Sequence, residues 1–160
     1  MIALTYKHSY GGIQLSTGSE IDEALTLDAY NAISNGMVAK LVRAGFLLEN
    51  RIKRLLSMPG SGAWYTSKSG GGMHQASAPG EPPATDTGRY RASWISEVTV
   101  SEIADGFLGW KMRIGTALWE TFGRRLELGG YGGGAYIAPR PHVRAAYDGA
   151  TEEVNAILQE

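Results

Sequence analysis

The sequence contains no cysteine. That excludes disulfide scaffolds, cysteine nucleophiles and thiolate metal sites. Histidine is nearly as scarce: His8, His74 and His142 are scattered along the chain. None belongs to an HExxH pattern, and no serine stands in GxSxG. All three are therefore expected to be solvent-exposed or capping side chains. A basic excess is also missing, because 15 Lys and Arg face 16 Asp and Glu. A general grip on nucleic-acid backbone is excluded on that balance. No apolar run approaches the ~18–20 residues that span a bilayer, so no membrane association is expected. The opening MIALTYKHSYGG has no basic region followed by a long apolar stretch and does not read as a signal peptide. Glycines 129, 130, 132, 133 and 134 match neither a P-loop nor a Rossmann fingerprint. The reading up to this point is of no enzyme, with no catalytic residue, cofactor or metal.

What the chain does have is apolar content, 43% against 19% charged, enough for one domain with a real core. Tyr30, Ile33, Met37, Leu41, Ala44, Leu48, Ile52 and Leu55 recur at steps of three and four. This period predicts an amphipathic helix from near Asp28 to Ser57, with Asp28 or Thr26 capping its start and Pro59-Gly60 ending it. Val38, Val42 and Leu56 widen its stripe, while Asn31, Lys40, Arg43, Glu49, Asn50, Lys53 and Arg54 form the polar face. Gly36 and Gly45 are the points where such a helix would kink. Its length, roughly 45 Å at 1.5 Å per residue, suggests a subunit that packs on copies of itself.

Residues 1–25 read as an N-terminal arm and 26–160 as a single domain. Ile2, Leu4 and Tyr6 alternate with polar neighbours as in a short strand, which either pairs with a neighbouring subunit or frays. Residues 57–87 read as one long loop, flexible at Gly70-Gly71-Gly72 and stiffened at Pro79 and Pro82-Pro83. Trp64 and Tyr65 lie in it as large groups that gain by docking.

Asp86 or Thr87 is expected to cap a short helix from Arg89 to Trp94. A strand through Val98 and Val100 turns at Ala104-Asp105-Gly106 into a second strand, with Leu108, Trp110, Met112 and Ile114 on its buried side. A helix over Ala117–Leu128 then shows Leu118, Phe122, Leu126 and Leu128 as its apolar side, closed by Gly129. GGYGGGAY reads as a mobile loop. Val143, Ala146, Tyr147, Ala150, Val154 and Ile157 mark a final amphipathic helix, with Glu152 and Glu153 solvated. The class is α+β: a long N-terminal helix packed with a small antiparallel sheet, an extended Pro/Gly-rich loop and a C-terminal helix. Arg124 and Arg125 form the tightest basic pair, with Arg140 and Arg144 downstream. Arg125 is placed to bridge to Glu120 or Glu127, and at least one of these arginines is expected at a protein interface.

Three blocks in order carry a resemblance. The first runs from Ala63 to Trp94 and contains ASAPGEPPA (Ala76–Ala84), then Asp86-Thr87-Gly88, Arg91 and Ser93. The second is Arg124–Gly129, RRLELG, preceded by Gly115-Thr116; the third is Ala138–Ala146, APRPHVRAA. Together they span about residues 51 to 148. This pattern resembles the head–tail junction family of long-tailed bacteriophages, the gene-product-ten-like neck and tail-completion proteins. The chain departs from it in a longer N-terminal region and at Trp119-Glu120-Thr121-Phe122.

The resemblance implies a structural virion protein of the neck, assembled in the host cytoplasm. Its copies form a ring, sixfold by preference with twelvefold as the alternative. The ring joins the head connector or stopper to the tail tube or terminator, and genome DNA passes its lumen without specific binding. The 57–87 loop is then a docking arm that orders on contact, and removing Gly70–Pro83 should leave a folded subunit. Trp64, Tyr65, Pro79, Glu81, Pro82, Pro83, Arg89, Arg124, Arg125 and Arg140 are the candidate contact residues. The other reading is a non-viral module that binds peptide or nucleic acid through the aromatic Gly/Pro-rich loop.

Overall fold

The computed structural model describes residues 2–5, 20–67, 70–104, 107–132 and 134–160; for 2–5, 20–34, 100–104 and 107–108 it describes the backbone alone. His8 and the Asp105-Gly106 turn lie outside the described residues. The architecture is α+β. A long helix α1 (Glu20–Leu55) lies against a three-stranded antiparallel sheet and against the last helix, α4 (Val143–Gln159). The sheet has the order β1 (Ile2–Thr5), β5 (Phe107–Gly115), β4 (Ile95–Ala104).

Helix α1 begins eight residues before Asp28, so neither Asp28 nor Thr26 caps it, and it runs unbroken through Gly36 and Gly45. Its 36 residues give a length of about 54 Å. Of the expected apolar stripe, Leu41, Ala44, Leu48 and Ile52 are buried and Met37 and Leu55 are half-buried, with Leu56 buried just past the helix end. Gly45 lets the helix approach the sheet closely. A Cβ there would stand 3.1 Å from the Ser96 side chain and 3.3 Å from Met112. Glu49, expected on the solvated face, turns toward the sheet instead. Its carboxylate accepts hydrogen bonds from the Ser96 backbone N–H and hydroxyl, each 2.7 Å, and from Lys53 at 2.6 Å. The edge strand thus has its first outward N–H covered.

In β5 the alternation holds, with Trp110, Met112 and Ile114 buried and Arg113 exposed. β4 and β5 pair from Ile95↔Gly115 to Ala104↔Phe107. The N-terminal arm neither frays over residues 2–5 nor waits for a neighbour. β1 adds to the chain's own sheet in the register Ile2↔Ile114 to Thr5↔Lys111. The alternating apolar pattern is satisfied by the nearest unpaired edge, that of β5.

Short helix α2 (Arg89–Ala92) is preceded by Gly88 at φ 75°, so neither Asp86 nor Thr87 is its cap residue. The Thr87 hydroxyl still accepts from Arg89 N–H at 3.4 Å. The expected Ala117–Leu128 helix is a π-helical turn (Trp119–Gly123) followed by α3 (Arg124–Leu128). Leu118, Phe122 and Leu126 pack on the core, but Leu128 is exposed. Two residues beyond Leu126, it lies about 200° round the helix. Gly129 ends α3 at φ 76° as expected. On α4, Val143, Ala146, Ala150 and Val154 are buried. Glu152 and Glu153 are exposed, and Glu153 meets Arg51 of α1 at 2.7 Å.

Candidate interaction surface

The segment 57–87 is not one loop. It holds a two-stranded hairpin, β2 (Trp64–Thr66) with β3 (Met73–Gln75), whose base is closed by Gly62 N–H on Ala76 O and Ala76 N–H on Ala63 O. The residues after the hairpin are pinned to the body. The Glu81 carboxylate accepts from Ser61 N–H and hydroxyl and from Ala78 N–H, which holds its carboxyl below the usual range. The Thr85 hydroxyl donates to Leu56 O at the end of α1. Pro83 is buried, Pro82 half-buried and Pro79 exposed.

GGYGGGAY also differs from its expectation. It is a second hairpin, β6 (Gly130–Gly132) with β7 (Ala135–Ile137). Tyr131 and Tyr136 sit opposite each other, their rings 5.5 Å apart and edge-on. The Arg125 guanidinium donates to Tyr131 O and to Thr121 O rather than bridging to Glu120 or Glu127.

Arg140 joins the two hairpins at their bases. It donates to the carbonyl and hydroxyl of buried Ser77, two residues past β3, and to Ala138 O, one residue past β7. Gly80 N–H adds a bond to Pro139 O at 2.9 Å. Arg140→Ala is therefore expected to cost about 1–3 kcal/mol, since it strips charge-assisted bonds from a buried hydroxyl. Limited proteolysis should then cut near residues 76–80 faster, while the far-UV spectrum stays unchanged. Removing Gly70–Pro83 would take buried Ser77 and Pro83 with the tip, so that deletion is expected to lower the subunit's stability.

Beneath the surface, three segments meet at the start of α4. The Glu127 carboxylate of α3 accepts from the backbone N–H groups of His142, Val143 and Arg144, at 2.8, 3.0 and 2.9 Å. It supplies from another helix the cap that α4 lacks in its own His142. Burial opposes ionisation of Glu127. The His142 ring and these three N–H groups outweigh that, and its carboxyl is held near 2. The His142 ring is fully buried, which corrects the expectation of an exposed or capping histidine. The network assigns its tautomer: Nδ1–H faces Arg140 O and Glu127, both at 3.0 Å, and Nε2 accepts from the Tyr90 hydroxyl at 2.8 Å. Burial first, then the Glu127 charge, push the Tyr90 phenol well above its ordinary range. Every polar group of this trio has a partner within the protein, and the trio fastens α2, α3 and α4 together.

The two hairpins hold large apolar groups outward. Trp64 is 60% exposed, Tyr65 58%, Met73 60%, Tyr131 81% and Tyr136 59%, all on the two hairpins. Arg89 and Arg124 are exposed, whereas Arg125 and Arg140 are spent on backbone carbonyls. A cleft of about 530 Å³ opens between the first hairpin, the end of α1 and the turn into α2; Met58, Trp64, Met73, His74 and Arg91 line it.

No family model, curated protein or solved structure matches the chain. The geometry therefore has to speak through its own chemistry. Among the described residues, no group of three His, Asp or Glu could hold a metal ion, and no helix is long and apolar enough to cross a membrane. Trp64 and Tyr65 were among the residues expected at a contact surface and are exposed, while Tyr131 and Tyr136, also exposed, were not among them. Two tyrosines flanking a Gly-rich turn were the available signal for a hairpin. The Tyr90–Glu127–His142 trio left no local signal, because its members come from segments far apart in sequence.

Proposed function

We propose that the chain is a structural subunit of the head–tail connector of a long-tailed phage, a neck or tail-completion ring that joins the head connector to the tail tube. One observation carries the reading: large apolar side chains are held outward on two short hairpins whose bases are bolted to the folded body by Arg140. Exposed aromatics on anchored elements are a surface for another protein, since leaving them in water forgoes the gain of burying them. The order of the three sequence blocks supplies the viral part of the reading. A formal charge of −1 agrees with a lumen that lets DNA slide.

Light scattering on the purified chain, followed by imaging of virions with an antibody to it, tests the proposal. The expected result is self-association, or assembly on a connector partner, with label at the collar. Trp64→Ser together with Tyr131→Ser should keep the melting temperature and lose assembly. A strict monomer that binds oligonucleotide or peptide with a steep salt dependence would replace this reading with that of a binding module.

A further inference from the structure

Strand β4 is bonded on one side only: β5 holds that side, and among the described residues no strand pairs with the other. In an antiparallel ladder alternate residues turn their N–H and C=O groups outward. Ser96 is one of them, because its N–H reaches Glu49 rather than β5. Val98, Val100 and Glu102 follow at the same spacing, up to the irregularity between Glu102 and Ala104. The strand has no lysine or proline to block that edge, so its open backbone is a template for another extended strand. Above the edge, α1 carries an apolar flank. Glu49 overhangs β4, and Phe46, Val42 and Val38 precede it at helical spacing on the same side of α1. Phe46 is exposed and the two valines are half-buried. We propose that two copies join edge to edge through β4, antiparallel about Thr99, with their α1 helices side by side on one face of the joined sheet.

The strand matches a second copy of itself. With Thr99 opposite Thr99, Val98 faces Val100 and Ser96 faces Glu102, so every outward residue meets another. Sliding one strand by two residues either way leaves one outward residue of each copy unmatched. Glu97 and Glu102 each fall opposite a serine, so no like charges meet. The Ser96 N–H groups stay with Glu49, and about six backbone bonds close the seam. The helices fit the same spacing. Gly45 sits between the strands, a Cβ there being 3.1 Å from Ser96 of β4 and 3.3 Å from Met112 of β5. With strands ~4.8 Å apart, α1 lies half a spacing behind β4, and the two helix axes stand about 10 Å apart across the seam. Helices pack at that distance. α1 runs antiparallel to β4, since Arg91, just before the strand, meets Ser57, just past the helix. Thr99 is thus about 10 Å, or roughly seven helix residues, nearer the start of α1 than Ser96 is. Val38 and Val42 come to the two-fold axis, and each Phe46 packs toward Val38 of the other copy. Strands alone would fall short of the ~1,200 Å² that a specific contact buries. The helix flanks lay a second layer over them. Such a pair is isologous and therefore a separate contact from the head-to-tail one of a ring.

The chain has no native cysteine, so a single thiol reports the seam. Opposed Thr99 residues form a non-hydrogen-bonded pair with Cα atoms about 4.5 Å apart, within reach of a disulfide. Thr99→Cys is expected to give a disulfide-linked dimer in air. Glu97→Cys, exposed on the same face, is expected to give none, because its two copies lie four residues apart along the seam, ~13 Å. Thr99→Glu and Phe46→Ser should each keep the melting temperature and weaken the dimer at least tenfold in sedimentation over a concentration series. Trp64→Ser with Tyr131→Ser should leave the Thr99→Cys link intact, which separates this seam from the hairpin surfaces of the proposed function. Linking of Glu97→Cys as readily as Thr99→Cys would overturn the inference. Oligomers that form without the Thr99→Cys link would overturn it too, while leaving self-association standing. A monomer at every concentration, with Thr99→Cys unlinked and its fold confirmed by circular dichroism, would overturn it outright.

Discussion

A chain carrying Leu48→Asp is expected not to fold. Leu48 is completely buried in the cluster where α1 meets the sheet and α4. Losing the leucine packing alone costs about 2–5 kcal/mol. An unpaired carboxylate in that position adds several more, or is forced to take up a proton. Against a typical total stability of about 5–15 kcal/mol, little is left. The far-UV spectrum should lose its helical signal and the urea transition should disappear. Leu48→Ala is the milder control: about 3 kcal/mol lower in stability, still cooperative in unfolding. A sharp transition in Leu48→Asp would show that the wrong face of α1 has been assigned to the core.

The second large effect belongs to Glu127. Glu127→Ala leaves three backbone N–H groups at the start of α4 without their acceptor and strips the partner from a buried imidazole. We expect a loss of about 3 kcal/mol, and about 2 kcal/mol for Glu127→Gln, which keeps one acceptor oxygen. The pH dependence has a definite sign. The folded-state carboxyl is held near 2, below its ordinary 4.5. Its contribution is therefore fully present above about 4.5 and fades as pH falls toward 2. The stability gap between wild type and Glu127→Gln should be constant above about pH 5 and shrink steadily in acid. Urea titrations at a series of pH values check it; a gap that widens in acid would reverse the assignment.

Legibility in the sequence followed the range of the interactions. Leu41, Ala44, Leu48 and Ile52 announce their helix face by spacing alone. So do Trp110, Met112 and Ile114 in their strand, because a period needs only neighbours in the chain. Glycine and proline were less informative. In 57–87 they were read as looseness, yet Gly62 and Pro83 lie where the segment is bonded or buried against the body. Gly60 and Gly62 are small because the backbone of residues 75–77 passes against them; a Cβ on Gly62 would stand 2.9 Å from two carbonyl oxygens. Such a close approach cannot be told from a flexible turn without the second strand in view. The Arg140 clamp and the Glu127 cap lie further beyond reach. Each joins a side chain to backbone groups of another segment, and backbone partners leave no trace in residue identity.

The partners of the opening segments all come late. Strand β1 pairs with β5, more than 100 positions downstream, and α1 buries its stripe against β4, β5 and a helix that ends at Gln159. During synthesis the first third of the polypeptide therefore leaves the ribosome with nothing to cover it. At about 5–20 residues per second, that greasy stripe waits several seconds for its cover. The core of this molecule therefore closes through contacts of high sequence separation, the slowest kind to form.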